Sequence, residues 1–176
     1  MQIDEDISIE PSNPNWATWY QEETALLQHV FPNARFEHFG STAVSGLWSK
    51  PIVDILVGLC GDSELTNEER CGLEDLGYDI LGTAGVPGRI YCRKRGKRSF
   101  NLAVTPFQSE LWRDNLLIRD YLRSHQDEAE AYGRMKVDAY RKGYRTLLAY
   151  SEHKAEFMAR LLVRAKAGKG GGSPGH

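Results

Sequence analysis

Residues Ile52 to Leu59 form a nearly unbroken apolar run with one charged member, Asp54. The length and β-branched content of this run predict a buried strand. An ionised carboxylate inside such a strand is costly unless something compensates it. Either Asp54 faces a wet cleft, or a cation or hydrogen-bond donors hold it. The two-residue period of a strand places Asp54 on the same face as Ile52 and Leu56. The chain must therefore fold so that one face of a buried strand meets something polar.

The segment just upstream supplies a candidate. Arg35 to Phe39 alternates and predicts a short strand that runs into Gly40-Ser41-Thr42. Gly40 lets backbone approach a ligand, and Ser41 and Thr42 present N–H and O–H donors. Such a turn suits a phosphate, because amides and hydroxyls can converge on its oxygens. Lys50 adds a positive charge at the entry to the apolar strand, and His38 precedes the turn. If the face of Asp54 opens on this turn, a carboxylate meets a phosphate-binding loop. The natural bridge between them is a divalent ion, most often Mg2+, which prefers oxygen ligands. Each feature alone has a plainer explanation: a common turn, a hydrogen-bonded strand Asp, a structural His. Their ordered combination is what points to a site.

The rest of the chain reads as one domain of alternating elements. Asn13-Pro14-Asn15 opens a helix, with Asn13 as N-cap and Pro14 at the first helical position. Trp16, Trp19, Tyr20, Leu27 and Val30 recur on one face of it, and Pro32 ends it. Thr66 with Glu69 makes a capping box for a helix that runs to about Leu76 and stops at Gly77. Tyr78 to Leu81, Arg89 to Arg93 and Ser99 to Val104 are three further strands. They are separated by the turns Gly82 to Gly88 and Arg95-Gly96-Lys97. Ser109 to Ser124, Asp127 to about Lys142 and Ser151 to Ala167 are helical. Strand pairs joined by short turns imply a mixed or antiparallel sheet. Helices segregated to one side of it imply an α+β fold with a helical C-terminal half.

At 176 residues and 19.9 kDa the chain has the size of one domain, expected to span residues 1–167. The Gly-rich residues 168–176 are expected to be a flexible tail outside it. No apolar stretch is long enough to span a membrane. The start, Met1 to Glu10, is acidic, unlike a secretory leader. Cys60, Cys71 and Cys92 are an odd number without metal-ligand spacing and read as reduced thiols of a cytoplasmic protein. A net charge of −2 gives no global field that attracts nucleic acid.

The stretch from His38 to Ile55 resembles the GrpB family. The pattern His-x-Gly-Ser-Thr-(Ser/Ala)-Val-x-Gly-Leu-x-x-Lys-Pro-x-x-Asp is matched at His38, Gly40, Ser41, Thr42, Val44, Gly46, Leu47, Lys50, Pro51 and Asp54, with Ser45 where the family usually has Pro. Arg119-Asp120-Tyr121-Leu122-Arg123, Tyr132 and Lys136 look like the family's helical segment. The resemblance covers most of residues 12 to 165 and implies the nucleotidyltransferase-like (polymerase-beta-like) fold. That fold implies a Gly-Ser turn facing an Asp-x-(Asp/Glu) pair that holds two metals. Here the second acid is Leu56, and the His-x-His of the later strand is Asn101 and Ala103, which leaves one metal through Asp54, or none.

On this reading Asp54, Lys50 and His38 are the catalytic candidates, with Asp54 also the candidate metal ligand. Gly40, Ser41, Thr42, Asn101, Arg119 and Lys136 are the substrate- and phosphate-binding candidates. Lys50 would neutralise charge in the transition state and His38 would carry a proton. Arg119 and Arg123 share a helix face and either help close the cleft or form an ion-pair network with Asp120. Arg89, Arg93, Lys94, Arg95, Lys97 and Arg98 either form a solvated hairpin tip or grip a polyphosphate or RNA backbone. The expected function is a transferase that binds a nucleotide or another activated phosphate-bearing substrate. The alternatives are an acyl or aminoacyl transferase or an amide-forming enzyme that uses an activated donor, either free or tRNA-linked, or a non-catalytic nucleotide-binding module.

Overall fold

The computed structural model describes residues 4–61 and 64–170. A first helix, α1 (Asn15–Val30), leads into strand β1 (Arg35–Phe39), a single 3-10 turn (Ser41–Ala43) and the long strand β2 (Ile52–Leu59). Helix α2 (Asn67–Asp75), the short strand β3 (Asp79–Ile80), β4 (Ile90–Lys94) and β5 (Ser99–Pro106) follow. Three helices close the chain: α3 (Glu110–Ser124), α4 (Gln126–Arg141) and α5 (Leu147–Gly170).

Local chemistry accounts for the boundaries. Asn13 Oδ1 accepts from the Asn15 N–H at 3.0 Å, one position from where a cap on Pro14 would put it. Thr66 and Glu69 form the reciprocal capping box, with Glu69 accepting from the Thr66 N–H at 2.8 Å and Thr66 from the Glu69 N–H at 3.2 Å. Ser109 caps α3 through the Trp112 N–H. Helix α5 departs from expectation at both ends: it begins at Leu147 rather than Ser151 and continues to Gly170. The expected tail is therefore helical over its first residues, and residues 171–176 lie outside the described ones.

The five strands form one mixed sheet in the order β1-β2-β5-β4-β3. β2 and β5 run parallel at its centre, and the other neighbours are antiparallel. On one face Val53, Ile55 and Val57 of β2 and Phe100, Leu102 and Val104 of β5 pack against Trp16, Leu27 and Phe31 of the α1 region and Leu73 of α2. On the other face Leu56 and Ala103 pack under Trp112 of α3. Helices thus cover both faces, which corrects the expectation that they lie on one side; α1 and α2 have enough apolar surface to claim a face of their own. Helices α3, α4 and α5 pack together around Leu122, Tyr132 and Leu161 beside the second face.

The acidic N-terminal segment is built into the domain. The Ile7 N–H donates to the Arg145 carbonyl and the Leu147 N–H to the Glu5 carbonyl. Glu10 and Ser49 exchange both backbone bonds. No described helix is long and apolar enough to cross a membrane.

The approach of α3 to the sheet depends on Gly58. A Cβ built there would meet Trp112 at 2.7 Å and Phe107 at 3.0 Å. Gly58→Ala is expected to destabilise the fold by about 1–3 kcal/mol through overpacking, read as a lower urea midpoint. Gly96→Ala, where nothing lies within 4 Å, is expected to stay within about 0.5 kcal/mol.

Candidate functional site

The sheet register decides which side chains meet. Asp54 pairs laterally with Phe39 on β1 and with Asn101 on β5. All three project toward α3, on the face of Leu56 and Ala103. Strand β1 then turns over this face at Gly40, which adopts φ 68° and ψ −167°. A Cβ at Gly40 would lie 2.5 Å from Asp54 Oδ2. Only glycine permits both that backbone conformation and that approach. The carboxylate and the bend therefore face each other, as the alternation of β2 requires.

Asp54 is held from one side. Asn101 Nδ2 donates to Asp54 Oδ1 at 2.8 Å. The Asn101 amide cannot turn round, because its Oδ1 already accepts from the Tyr91 hydroxyl at 2.8 Å and from Arg95 Nη2 at 2.9 Å. Arg95 is fixed in turn by a bidentate pair with Glu5, at 2.6 and 3.0 Å, and by the Lys94 and Phe100 carbonyls. Asp54 Oδ2 is left facing the bend.

The cleft above Asp54 has a volume of about 350 Å³ and is lined by Gly40 and Ser41, by the sheet face, by Arg89, and by residues of α3, α4 and α5. Its charged members are Asp54, Lys50, Arg89, Arg119, Lys136 and Lys154. A larger groove of about 1120 Å³ lies between Val44–Trp48 and α4, but Asp54, Lys50 and Lys136 do not line it.

Lys136 is the least expected of these groups. It is 1% exposed, and its Nζ has no hydrogen-bond partner among the described residues. The ammonium sits over the Tyr132 ring at 4.4 Å from the centroid. Burial, with Lys154 and Lys50 adding to it against Asp54, holds its pKa well below the usual lysine value. Lys50 is half-buried and pushed down to about 8, first by burial and then by Lys154, with Arg95 adding to these and Asp54 and Glu5 opposing. Lys50 and Lys154 carry no ion pair among the described residues. No motif marks Lys154; its spacing from Tyr150 and Met158 on α5, which also line the cleft, is the signal that could have found it.

Two candidates are placed elsewhere. His38 pairs with Ile55, on the opposite sheet face from Asp54. Its ring stacks on Tyr20 of α1 with centroids 5.0 Å apart, and Nε2 lies 2.9 Å from Thr42 Oγ1. Burial lowers its pKa to about 4, against the pull of Asp54, so it is neutral at pH 7. This corrects the expectation of a proton carrier and a phosphate-binding hydroxyl here: His38 and Thr42 satisfy each other inside the fold. A two-residue period separates Asp54 from any residue paired with Ile55.

Arg119 lines the cleft but is committed to Glu37 at 2.6 Å, Asp120 at 2.8 Å and the His38 carbonyl at 3.0 Å. The basic hairpin is similarly occupied. Lys94 pairs with Glu23, Arg95 with Glu5, Arg98 with Glu22, and Arg93 with Glu5 and Asp79. Arg89 donates to the Thr83 and Ala84 carbonyls. Lys97 is the exposed base of the six that has no ion pair among the described residues. The three cysteines are unbonded, and burial pushes the Cys92 thiol up to about 12.

The two-metal arrangement does not fit these residues. Asp54 is the one carboxylate among the described residues that line the cleft, and one of its oxygens is taken by Asn101. Among the described residues no three His, Cys, Asp or Glu side chains converge as a metal set.

A buried amine without an acceptor weakens the fold. Lys136→Met is expected to raise stability at pH 7 by about 1–3 kcal/mol. The folded-state pKa lies below the unfolded value of 10.5. Between the two the unfolded chain binds more protons, so the wild type gains stability as pH rises. The advantage of the variant should shrink toward pH 10, as read from paired urea titrations.

Comparison with known proteins agrees with this architecture. The family model described as GrpB protein matches residues 6–164. A UPF0157 protein of Pseudomonas aeruginosa is 33% identical over 172 residues, which cover 93% of this chain and 69% of that one. The glutamate-rich protein GrpB of Alkalihalophilus pseudofirmus is 29% identical over 157 residues, 84% of this chain and 89% of its own. The crystal structure of the conserved protein GrpB from Enterococcus faecalis superposes with a TM-score of 0.81 at 27% identity, covering 90% of this chain and 96% of that one. A cytoplasmic RNA terminal U-transferase superposes with a TM-score of 0.54 at 16% identity, over 76% of this chain and 42% of its own, which is a likeness of fold alone. The α+β architecture is thus nucleotidyltransferase-like, and the chain belongs to the GrpB family.

Proposed function

We propose that this protein is a transferase whose cleft binds an activated, phosphate-bearing substrate, a nucleotide, between the Gly40-Ser41 bend and Asp54. The observation that carries the reading is the imbalance of charge in the cleft. Among the described residues five cationic side chains and one carboxylate line it, and the amine of Lys136 is buried there without an acceptor. Buried polar groups are normally satisfied, so an unsatisfied cation in a cavity calls for an anion from outside. Lys50 and Lys136 would hold phosphate oxygens and stabilise charge as it grows on them during transfer. Ser41, which makes no side-chain hydrogen bond among the described residues, adds a donor at the bend. Asp54 Oδ2 would orient an acceptor hydroxyl, with Asn101 fixing the carboxylate. Rate enhancement would come mainly from positioning and preorganised charge.

A second reading, a non-catalytic nucleotide-binding module, is favoured by one observation: with His38 on the far face, no histidine among the described residues lines the cleft. Asp54→Asn separates the two, since it should abolish transfer while leaving phosphate binding within a few-fold.

Nucleoside triphosphates at a hundredfold excess over Kd should stabilise the protein by about 2.7 kcal/mol, visible as a rise in Tm. A flat response with and without Mg2+ would remove the proposal. Affinity should also fall as pH rises through about 8, where free Lys50 loses its proton. Bound phosphate raises the pKa of that amine, so above pH 8 binding must take a proton from solution, and below it need not. Calorimetry in buffers of different ionisation enthalpy reads this uptake directly.

A further inference from the structure

Resting on phosphate as the ligand of this cleft, we infer that the site takes a polyphosphate chain as the metal-free polyanion, with the side chains of Lys50, Arg89, Lys136 and Lys154 standing where divalent ions would otherwise neutralise it. These groups come from four separate segments: the entry to β2, the loop before β4, helix α4 and helix α5. Convergence from distant parts of the chain is not what a solvated charged face produces. Lys136 is 1% exposed, and among the described residues neither its Nζ nor the buried Arg89 Nε has a hydrogen-bond partner. Lys154 lies over the Tyr150 ring, 5.5 Å from the centroid, so the aromatic ring leaves the ammonium free for an anion.

The same residues disfavour a cation as co-ligand. Mg2+ beside phosphates is usually held by one or two free carboxylates together with waters, and the one carboxylate among the described residues lining the cleft has an oxygen already bonded to Asn101. An ion beside Asp54 would also face three lysines. With Arg119 paired to Glu37 and Asp120, the other four cations against one carboxylate leave three positive charges when all are protonated, which suits a chain of phosphates better than a single one. Magnesium removes charge from the ligand and should therefore compete with the site. The chain could belong to a nucleoside triphosphate or to inorganic polyphosphate, and the chemistry recognised is shared.

Calorimetric titration of the full chain with inorganic tripolyphosphate, in EDTA and in excess Mg2+, tests this. Binding in EDTA, weakened about tenfold or more by Mg2+, is the expected result. Lys136→Met and Lys154→Met should each weaken binding about tenfold, and Lys136→Met should do so while raising Tm, which separates lost contact from lost fold. Lys97→Ala, on the hairpin tip, should bind as wild type. A parallel titration with ATP and UTP distinguishes the sources: tighter binding than tripolyphosphate assigns the chain to a nucleotide, equal binding to a bare polyphosphate, and both support the inference. Binding that requires Mg2+ would overturn the inference and leave the functional reading standing. Orthophosphate binding as tightly as tripolyphosphate, or Lys136→Met and Lys154→Met both binding as wild type, would also overturn it. If no phosphate compound binds in either condition, the functional reading falls with it.

Discussion

The approach of Gly40 to Asp54 is the contact on which the site depends. A carboxylate in the middle of an apolar strand is tolerated here because three things coincide. The strand before it ends in a residue with no side chain, the strand beside it offers an amide, and the helices above leave a gap. Had any other residue stood at 40, its Cβ would have collided with Asp54 Oδ2, and the bend would have had to lift away from the sheet. The close approach of bend to strand follows from that single missing atom.

A second layer keeps the carboxylate in place. Glu5, Arg95 and Tyr91 never reach the cleft with a free donor; their effect is to fix which end of the Asn101 amide faces Asp54. Such preorganisation is favourable because the groups need not reorient when a ligand arrives. The lysines do the opposite for stability. Their ammonium groups are placed where burial and mutual repulsion penalise them. Proteins accept such local cost at sites that must bind charge.

Much of this was legible in the amino-acid sequence, for definite reasons. The β2 run, the Gly40-Ser41 bend and the face shared by Ile52, Asp54 and Leu56 follow from local periodicity and turn chemistry, which act over a few residues. Lys136 was legible only through family resemblance, since a lysine on a helix says nothing of its burial. The position of His38 depends on a one-residue choice of register between β1 and β2, which adjacency in a motif does not reveal. The hairpin bases looked free because their partners, Glu5, Glu22 and Glu23, lie about seventy to ninety residues away in the chain. Long-range pairing of this kind leaves no local trace. The three C-terminal helices were visible by their spacing, but the covering of the opposite sheet face by α1 and α2 was not, because it depends on how much apolar surface those two helices bring.

The backbone clasp between the first described residues and the segment around Thr146 has a consequence for synthesis. Asp6 bridges Thr146, and the Leu148 N–H reaches back to Asp4 across 144 positions. The sheet can form while the nascent chain is still growing, since its strands are complete by Pro106. The clasp, the Lys136 amine and Lys154 arrive only with α4 and α5. A ribosome-bound chain that had reached Pro106 would thus carry Asp54, the bend, Lys50 and Arg89 without Lys136 and Lys154, and the charge of the cleft would be complete only once α4 and α5 had packed.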